Sequence, residues 1–537
     1  MIDIIIKLAF IVVFFAATFF IGFYSRKKAQ TSNDFALAGR NVGPWLSAFA
    51  YGTSYFSAVI FIGYAGSFGW LFGVSALWIG LGNAFIGSLL CWKVLGRKTR
   101  LMTQKLESAT MPDFFGKRYK SNTLKVFASI IVFIFLIPYT AALYNGLSSL
   151  FSTCFSDAIP IWVWILIISI ATGAYTIVGG LFSSALNSFF QGIIMLVGIV
   201  LVVIAALNVN GGLMSSLEML GTTGFSDNGG WQYASIFGPD PVHLIFVVLL
   251  TSLGCWGLPQ MVGKFYSIRN EEQIKKGNVI STIFAVIVAG GCYFLGGFSR
   301  IFASEKTGDI IPRMVSGLNV VVVAIVIVLV LAASMSTLSG LVLASASTIT
   351  FDLFDSKKNK TEKQKLWSLR ILVLASIIIS ALLAIFQVYG PQELTKDIAG
   401  LMGISWGAIS GAFIGPFLYG LYSKKVTKAS VYVSFIVSIV ISLLGLILSF
   451  TGHSFKLESN GILWFDFADS IYMGVLAMAL SFCLVPLVSR FTKKLDQDFV
   501  DELFGTYEHK VLVKEGSVLI DKEVYKEEIQ KASFEKE

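Results

Sequence analysis

Charged side chains are scarce in this chain of 537 residues: Asp, Glu, Lys and Arg make up 14% of it, where soluble domains have about 25%. Apolar and aromatic residues make up 55%, and the mean hydropathy is +0.76. So few charges cannot cover a water-exposed surface of this size, which excludes a string of ordinary soluble domains. Because lipid must be the main solvent, the sequence predicts one all-α polytopic membrane domain.

Side chains that bind metals or carry out catalysis are also few. There are three histidines and five cysteines, and the cysteines lie far apart, mostly within apolar runs. No zinc or disulfide spacing appears. The middle of each apolar run is almost free of Asp, Glu and His, which leaves no general base for a membrane enzyme and disfavours a proton relay.

The excess of positive charge has a topological explanation. The chain has 41 Lys and Arg against 32 Asp and Glu, a formal net charge of +9. These basic residues lie between the apolar runs, as membrane topology requires, and no basic stripe with interleaved aromatics forms a groove for a nucleic-acid strand. We therefore exclude nucleic acid as a partner and expect the lipid bilayer instead.

About thirteen apolar stretches approach the roughly 20 residues that one bilayer crossing needs. They are centred near residues 14, 58, 86, 138, 169, 196, 253, 290, 335, 378, 408, 439 and 479. The first, residues 4–24, is read as a retained helix rather than a signal peptide, because its basic cluster follows the apolar run and no small-residue cleavage site is evident. An odd number of spans places the two termini on opposite sides.

Positive charge is concentrated in alternate loops. These loops are residues 26–40, 97–120, 264–276, 357–365 and 424–428, together with the tail from residue 490. The positive-inside rule assigns them to the cytoplasm. The longest opposite loop, residues 208–244, has no Lys or Arg and is expected outside. We therefore expect a cell-membrane protein with an external amino terminus and a cytoplasmic tail that forms a short surface helix.

The second span has polar residues where a simple anchor would be apolar. Gly52 is followed by Thr53, Ser54 and Ser57 near the middle of the membrane. If the helix unwinds there, the carbonyls that leave the helical ladder must face a cavity, the one place where a bilayer tolerates them. The alternative is that these small residues only let helices pack closely.

The ninth span is unusually rich in hydroxyl groups. Those near mid-membrane are Ser334, Ser336, Thr337 and Ser339, and those nearer the cytoplasm are Ser345, Ser347 and Thr348. Hydroxyls and unpaired carbonyls can replace the hydration shell of a hard monovalent cation without the fixed negative charge that a divalent ion usually needs. Sodium suits such a site. The alternative is a packing seam whose hydroxyls bond back to preceding carbonyls.

Taken in order, several segments make this sequence resemble the sodium:solute symporter family. They are residues 34–40, 53–63, 175–181 running on to Gln191, 256–259 and 333–352. The resemblance extends from the first span to about residue 490. The residues at 53–57 and 186–196 look most similar to the pantothenate and proline branch of the family. It implies a LeuT-type core of ten helices in two inverted repeats.

The same resemblance divides the chain into six regions. They are an extra helix and cytoplasmic loop at 1–43, the first repeat at 44–208, an extracellular loop at 209–240, the second repeat at 241–422, peripheral helices at 423–490 and a cytoplasmic tail at 491–537. Because members of this fold can transport as single chains, a functional monomer is expected.

A single sodium site is also implied, between the broken first core helix and the eighth core helix. Its ligands would be the carbonyls of Thr53, Phe56 and Ala333 and the hydroxyls of Ser336 and Thr337. These helices are the two whose apolar pattern is broken, so the chemical pattern and the resemblance agree.

Three departures from the family pattern narrow the expectation. Tyr55 stands where proline symporters have an acidic residue, which weakens a proline assignment. Residues 186–188 are Leu-Asn-Ser where members with a second sodium site have Trp-Thr-Asp, and Gly340 stands where another serine is possible. We therefore expect one sodium ion per cycle. Gly80 replaces a polar or acidic group of sugar-binding members, which disfavours a hexose.

These features predict sodium-coupled import of a small carboxylate-bearing solute by alternating access: pantothenate, a proline-like amino acid, a monocarboxylate or sialic acid. The positive end of a half-helix near Ser57 would attract the carboxylate. The expected solute-binding residues are Tyr55, Ser57, Asn83, Tyr139, Trp256, Gln260 and Trp406. Alternatively, the aromatic residues only pack or anchor, and Asn83 only bridges helices. The alternative functions are a proton-coupled transporter, or a channel or sensor with the same fold.

Overall fold

The computed structural model describes residues 2–25, 31–155, 159–222, 230–302, 310–354, 361–390, 398–459 and 462–508. Parts of two predicted basic loops, residues 26–30 and 355–360, lie outside this range, as do residues 509–537 of the tail. The structure is 86% helical. The described ranges contain ten helices long and apolar enough to cross a membrane, or eleven if a bent pair counts as one span. The number thirteen stays a prediction.

The chain reaches its first broken span through two helices. They are α1, Ile2–Ser25, and α2, Ser32–Leu37, the second closed by the 3-10 turn Ala38–Arg40. The span itself begins with α3, Pro44–Tyr55, in which proline occupies the first turn, where its missing N–H is not needed. The backbone is extended at Phe56, with φ −102° and ψ 111°. Helix resumes with a π-helical segment, Val59–Tyr64, and α4, Ala65–Phe72.

The next spans continue this first half. After the 3-10 turn Gly73–Ala76 come α5, Leu77–Gly82, the π-helical segments Asn83–Leu90 and Trp92–Gly96, and α6, Arg97–Lys105. They are followed by α7, Met111–Arg118, α8, Asn122–Cys154, and α9, Ile161–Val209. Within α9, Gly180 has φ 55° and ψ −148°, values that a side chain disfavours. The kink at Gly180 divides α9 into two helical parts, which contain the predicted spans near residues 169 and 196.

A second broken span opens the second half. It follows two helices of the loop that was predicted to be external, α10, Leu213–Thr222, and α11, Trp231–Ala234. The span consists of α12, Pro241–Leu253, the 3-10 turn Gly254–Gly257, and α13, Pro259–Tyr266, with a bend of 46° between the two parts. Leu258, at the bend, has extended backbone angles of φ −84° and ψ 121°. Both halves of the core therefore begin with an interrupted helix.

The remaining elements complete the bundle. They are α14, Glu271–Gly296, α15, Ser299–Phe302, α16, Ile310–Ser316, α17, Val320–Thr348 with its π-helical extension Ile349–Phe354, α18, Glu362–Tyr389, α19, Ile398–Tyr422, and α20, Lys428–Thr451. An antiparallel hairpin of β1, Lys456–Ser459, and β2, Ile462–Asp466, follows, and then α21, Ser470–Phe491, α22, Gln497–Gly505, and the 3-10 turn Thr506–Glu508. The hairpin was not predicted from the sequence.

The break in the first core helix lies later than the Gly52 to Ser57 pattern suggests, because Gly52, Thr53 and Ser54 are all helical. Gly52 serves close packing instead. A Cβ atom there would lie 2.5 Å from Cδ1 of Phe284 in α14, closer than any real contact of that kind. The polar run therefore marks a tight helix crossing followed by a break, rather than a long unwound stretch.

Helix α17 is central and holds its hydroxyl groups away from lipid. It packs against α1, α3, α8, α9 and α18, and the side chains of its middle turns are almost all buried. Because a hydroxyl buried among apolar helices needs a hydrogen-bonding partner or a ligand, the orientation of these groups determines what the centre of the protein can bind.

Candidate functional site

Four oxygen atoms meet where α3 crosses α17. The Ser336 hydroxyl lies 3.1 Å from the Thr53 carbonyl oxygen and 2.9 Å from that of Ala333. The Thr337 hydroxyl lies 3.1 Å from the Thr53 carbonyl oxygen and 3.0 Å from that of Ala333. Each hydroxyl thus bridges its own helix and the end of the broken one, and all four residues are almost fully buried.

This spacing matches the ligand shell of a small hard cation. Oxygens that lie about 2.3–2.6 Å from one ion and subtend about 80° are separated by about 3.0–3.3 Å. The four oxygens are uncharged, which suits a monovalent ion whose hydration water they replace. A hydroxyl coordinates through its oxygen, so its proton has only to rotate away from the carbonyl that it faces here. The residues present therefore fit a sodium ion.

Phe56, the fifth expected ligand, marks the end of the inner half-helix. Its N–H donates to the Gly52 carbonyl at 3.1 Å. The N–H of Ile60, which would bond to the Phe56 carbonyl in a continuous helix, donates to Ser57 at 3.1 Å instead. The Phe56 carbonyl therefore lacks the donor that a continuous helix would give it, three residues after the Thr53 carbonyl.

Helix α9 forms hydrogen bonds with the same turn of α17. The Tyr175 hydroxyl donates to the Met335 carbonyl at 2.6 Å, and the Ser184 and Ser339 hydroxyls are 2.7 Å apart. The Ser188 hydroxyl, at the position of the Asp in the Trp-Thr-Asp pattern, is buried and has no hydrogen-bond partner in the described part of the chain. These contacts fix the position of α17, since its carbonyls bond to a neighbouring helix as well as within their own.

Tyr55 and Asn83 form a polar junction beside the break. The Tyr55 hydroxyl lies 2.9 Å from Oδ1 of Asn83 and also contacts the Thr251 carbonyl of α12. Ser252 donates to the same Asn83 oxygen at 3.0 Å. This junction joins the inner half of the first broken span to the outer half of the second, at the depth where both helices are interrupted.

Two further predicted residues complete an aromatic cage around this junction. The Trp406 ring of α19 stacks on Tyr55 with centroids 6.1 Å apart, and Tyr139 of α8 meets Trp406 edge to face at 6.0 Å. Within the described ranges, four buried polar atoms of this region have no hydrogen-bond partner: Ser57 Oγ, Asn83 Nδ2, the Tyr139 hydroxyl and Trp406 Nε1. The structure thus brings together Tyr55, Ser57, Asn83, Tyr139 and Trp406, and we call this set the aromatic cage.

Trp256 and Gln260 belong to the second broken span and lie on either side of its bend at Leu258. The Trp256 indole N–H donates to the Ile86 carbonyl at 3.1 Å, a contact between helices. Gln260 lies beyond the bend, in α13, where it lines a cavity of about 60 Å³ next to Lys264. Both were expected at the solute site, and this assignment stays a prediction for a pair of residues with the extended backbone of Leu258 between them.

Arg40 is a residue whose role the sequence did not reveal. Its guanidinium is 6% exposed and donates to the carbonyls of Ser108 at 2.8 Å and Tyr266 at 3.2 Å, with Thr103 at 3.4 Å. Burial lowers the pKa of Arg40 to about 10, so it is protonated at neutral pH. The sequence showed Arg40 as one charge of a basic loop and as the end of the family-like segment 34–40, but it did not show the partners of Arg40, which are distant in the chain.

We call the contacts of Arg40 with Ser108, Tyr266 and Thr103 the Arg40 clamp. Hydrogen bonds of the neighbouring backbone reinforce it. Val42 accepts a hydrogen bond from Arg269 at 3.3 Å and donates to Ser267 at 3.0 Å, forming a parallel bridge with Ile268. The start of α3 and the end of α13 are therefore tied together. We infer that the inner halves of the two broken helices move as one unit.

We predict that Arg40→Gln weakens the attachment between the start of α3 and the end of α13. The substitution removes a buried charge from several carbonyl acceptors, and each such hydrogen bond contributes about 1.5–3 kcal/mol. A Gly263→Cys reporter in a Cys483→Ser background lines the adjacent cavity. Its rate of reaction with N-ethylmaleimide should rise about tenfold or more, since about 1.4 kcal/mol shifts an equilibrium tenfold.

The matched control is Lys105→Gln, which removes only an exposed pair with Glu502 and should leave the labelling rate within about twofold. Equal labelling of the reporter in the Arg40→Gln and Lys105→Gln proteins would show that Arg40 is not a clamp.

The opposite end of the first broken span has a second clamp. The Arg300 guanidinium lies 3.8 Å from the ring centre of Trp70 and 3.7 Å from that of Tyr233, and its Nε donates to the Trp70 carbonyl at 2.6 Å. Cation–π contacts of Arg300, a residue of α15, with these two rings hold the end of α4 against α11 and α15. Each half of the broken helix is thus fixed at its outer end and interrupted in the middle.

Interrupted helices that meet in the middle of a bilayer around uncharged oxygens define a class of protein: the ion-coupled secondary transporters. A family model described as "Sodium:solute symporter family" matches residues 35–438. The chain belongs to the sodium:solute symporter family. Two curated relatives agree with this assignment. The osmoregulated proline transporter OpuE of Bacillus subtilis is 28% identical over 80% of this chain and 85% of its own length. A sodium/proline symporter of Staphylococcus aureus is 27% identical over 78% of this chain and 81% of its own.

A solved structure gives the fold independently. The substrate-bound, outward-open state of a Na⁺-coupled sialic acid symporter superposes with a TM-score of 0.70, covering 92% of this chain and 99% of that one at 16% identity. The predicted LeuT-type fold and family are therefore confirmed. The protein is a multi-pass membrane transporter that couples the movement of a small-molecule solute to sodium.

Proposed function

We propose that this symporter imports a small carboxylate-bearing solute together with one sodium ion. The observation that supports this most directly is the convergence of the Thr53 and Ala333 carbonyls with the Ser336 and Thr337 hydroxyls. The proposed sodium ligands are these four groups and the carbonyl of Phe56. The single-ion stoichiometry rests on Ser188 and Gly340, which supply no carboxylate or hydroxyl pair for a second ion.

The proposed solute site is the aromatic cage beside the break. The outer half of the first core helix starts there, and its first N–H groups have no ladder partners and carry the positive end of the helix dipole. None of the five cage residues is acidic, so a carboxylate meets hydroxyl, amide and indole donors without a repelling charge. The N–H and O–H groups of Tyr139 and Trp406 are available to bind it.

Sodium and solute are coupled through the broken helix. Sodium binding from outside would join the end of α3 to α17 and thereby fix Tyr55 and Ser57 in the cage. Whatever factor sodium adds to solute affinity, the solute adds to sodium affinity. One positive charge crossing about 100 mV releases roughly 2.3 kcal/mol. Uptake of a monoanion with one sodium would be electroneutral, and uptake of a zwitterion would carry current.

The same proposal includes the arrangement in the membrane. The amino terminus lies outside and α22 lies in the cytoplasm, because the basic loops alternate with loops poor in Lys and Arg. Exposed ion pairs between Lys424 and Asp501 at 2.6 Å and between Lys105 and Glu502 at 2.8 Å attach α22 to this face. The functional unit is a single chain, since each half of the core supplies residues to the cage.

Purified protein reconstituted in liposomes tests this function. L-proline, pantothenate, lactate and N-acetylneuraminate should be screened by thermal shift in Na⁺ and in K⁺. A true solute at about 100 times its dissociation constant adds about 2.7 kcal/mol and should raise the melting temperature by a few degrees in Na⁺ only. Radiolabelled uptake of that solute should then require an inward Na⁺ gradient. Uptake driven equally by a proton gradient without Na⁺, or single-channel currents, would contradict the proposal.

A further inference from the structure

Lys264 is a buried cation that the proposed transport site does not use. It lies in α13, beyond the bend of the second broken span, and is only 4% exposed. Across the described ranges, its ammonium has no carboxylate within 4 Å and no hydrogen-bond acceptor. Burying an ammonium without a counter-charge is costly, so this position gains strongly from an anion.

The Lys264 side chain opens onto the cavity of about 60 Å³ between α13, α17 and the start of α7. Gln260, also 4% exposed, lines the same cavity one turn away, and its Oε1 has no partner in the described part of the chain. Ser347 adds a hydroxyl group to the walls, whereas the Thr110 hydroxyl donates to Asp352 at 2.6 Å. Because a water molecule occupies about 30 Å³, the cavity accommodates a carboxylate group, and a whole solute requires the helices to separate.

This cavity lies on the predicted cytoplasmic side of the sodium site. Gly340 follows Thr337 by one turn of α17, and a Cβ atom at Gly340 would be 3.5 Å from Ser54 Oγ and 3.8 Å from Lys264 Nζ. Gly340 thus adjoins both Ser54 and the Lys264 ammonium, one turn from Thr337. Because Ser54 adjoins the cage residue Tyr55 in the chain, we expect a solute that leaves the aromatic cage towards the cytoplasm to pass this point.

We propose that Lys264 is the centre of a carboxylate-binding subsite on the cytoplasmic exit route. The ammonium binds the carboxylate, and the Gln260 amide and the Ser347 hydroxyl supply further hydrogen bonds. The natural ligand, the carboxylate of the transported solute, rests on the proposed function. The subsite holds the solute after it leaves the cage and so lowers the barrier to release.

Chemical protection of wild-type Lys264 tests the subsite without any transport. Purified protein in detergent is methylated with formaldehyde and a borane, and modification of the Lys264 peptide is measured by mass spectrometry. Propionate should slow the modification of Lys264 about threefold or more, and propionamide, its uncharged counterpart, should not. Exposed Lys275 serves as the internal control and should react equally in both.

Two results of this experiment would overturn the proposal. One is a Lys264 modification rate that is the same with propionate and propionamide. The other is protection by inorganic phosphate but not by propionate, which would define a phosphate site instead.

Transport by two variants gives an independent readout. In proteoliposomes, Lys264→Met should raise the half-saturating solute concentration about tenfold on the cytoplasmic face and leave the external value within about twofold, and Lys264→Arg should behave like wild type on both faces. An unchanged cytoplasmic value in Lys264→Met would contradict the subsite. If no carboxylate is transported with sodium, the proposed function fails, and the protection experiment still decides whether the subsite exists.

Discussion

Replacing Thr337 with valine is expected to raise the half-saturating Na⁺ concentration for solute uptake about tenfold or more. Valine keeps the size of the side chain and removes the hydroxyl that lies 3.1 Å from the Thr53 carbonyl and 3.0 Å from that of Ala333. Loss of one oxygen to a charged partner costs about 1.5–3 kcal/mol, which corresponds to tenfold to about a hundredfold in affinity. Ser336→Ala should act in the same direction, and high Na⁺ should partly restore uptake in both proteins.

The matched control is Ser148→Ala in α8. Ser148 is fully buried, and its hydroxyl bonds at 2.7 Å only to the Tyr144 carbonyl of its own helix. This variant should keep the wild-type Na⁺ dependence. If Ser336→Ala and Thr337→Val also keep it, the hydroxyls of α17 are a packing seam, and the sodium site lies elsewhere.

A large rise in the half-saturating solute concentration is expected for Trp406→Phe. Phenylalanine keeps an aromatic ring against Tyr55 and Tyr139 and removes the indole N–H, which is buried and has no partner within the described ranges. If this N–H donates to the solute carboxylate, its loss costs about 1.5–3 kcal/mol. The half-saturating solute concentration should then rise about tenfold or more. Na⁺ binding measured without solute should stay within about twofold of wild type.

Trp164→Phe separates a binding role from a packing role. Trp164 is also buried with an unpartnered N–H among the described residues, and it packs on Phe151 and Phe155 with ring centres 4.4 and 5.1 Å away. It is outside the aromatic cage, so its replacement should leave half-saturation within about twofold. Equal shifts in the two variants would indicate that the loss of any buried indole, not contact with the solute, causes the effect.

The sequence predicted most of the site because membrane helices make polar residues conspicuous. Against an apolar background, the hydroxyls of Ser336 and Thr337 could be recognised without knowing the fold, and the family resemblance then supplied the opposing Thr53 carbonyl. The fold class, the family and sodium coupling are confirmed by the comparisons. The assignment of individual ligands stays a prediction that the variants above test.

What the sequence did not reveal depends on contacts between distant segments. The buried state of Arg40 follows from carbonyls more than sixty residues away at Ser108 and Tyr266. Lys264 looks like an ordinary loop charge in a basic segment, and only the packing of α13 on α17 buries it. The exact position of the break at Phe56 was missed as well, because Gly52 has a packing role that depends on Phe284 of another helix.

Equilibrium binding of ²²Na⁺ to purified protein tests the central claim most directly. The wild-type protein and Ser148→Ala are predicted to bind one Na⁺ per chain with equal affinity. The double variant Ser336→Ala, Thr337→Val is predicted to bind none at concentrations that saturate the wild type. Saturable binding of one Na⁺ by the double variant with wild-type affinity would contradict the claim that α3 and α17 form the sodium site.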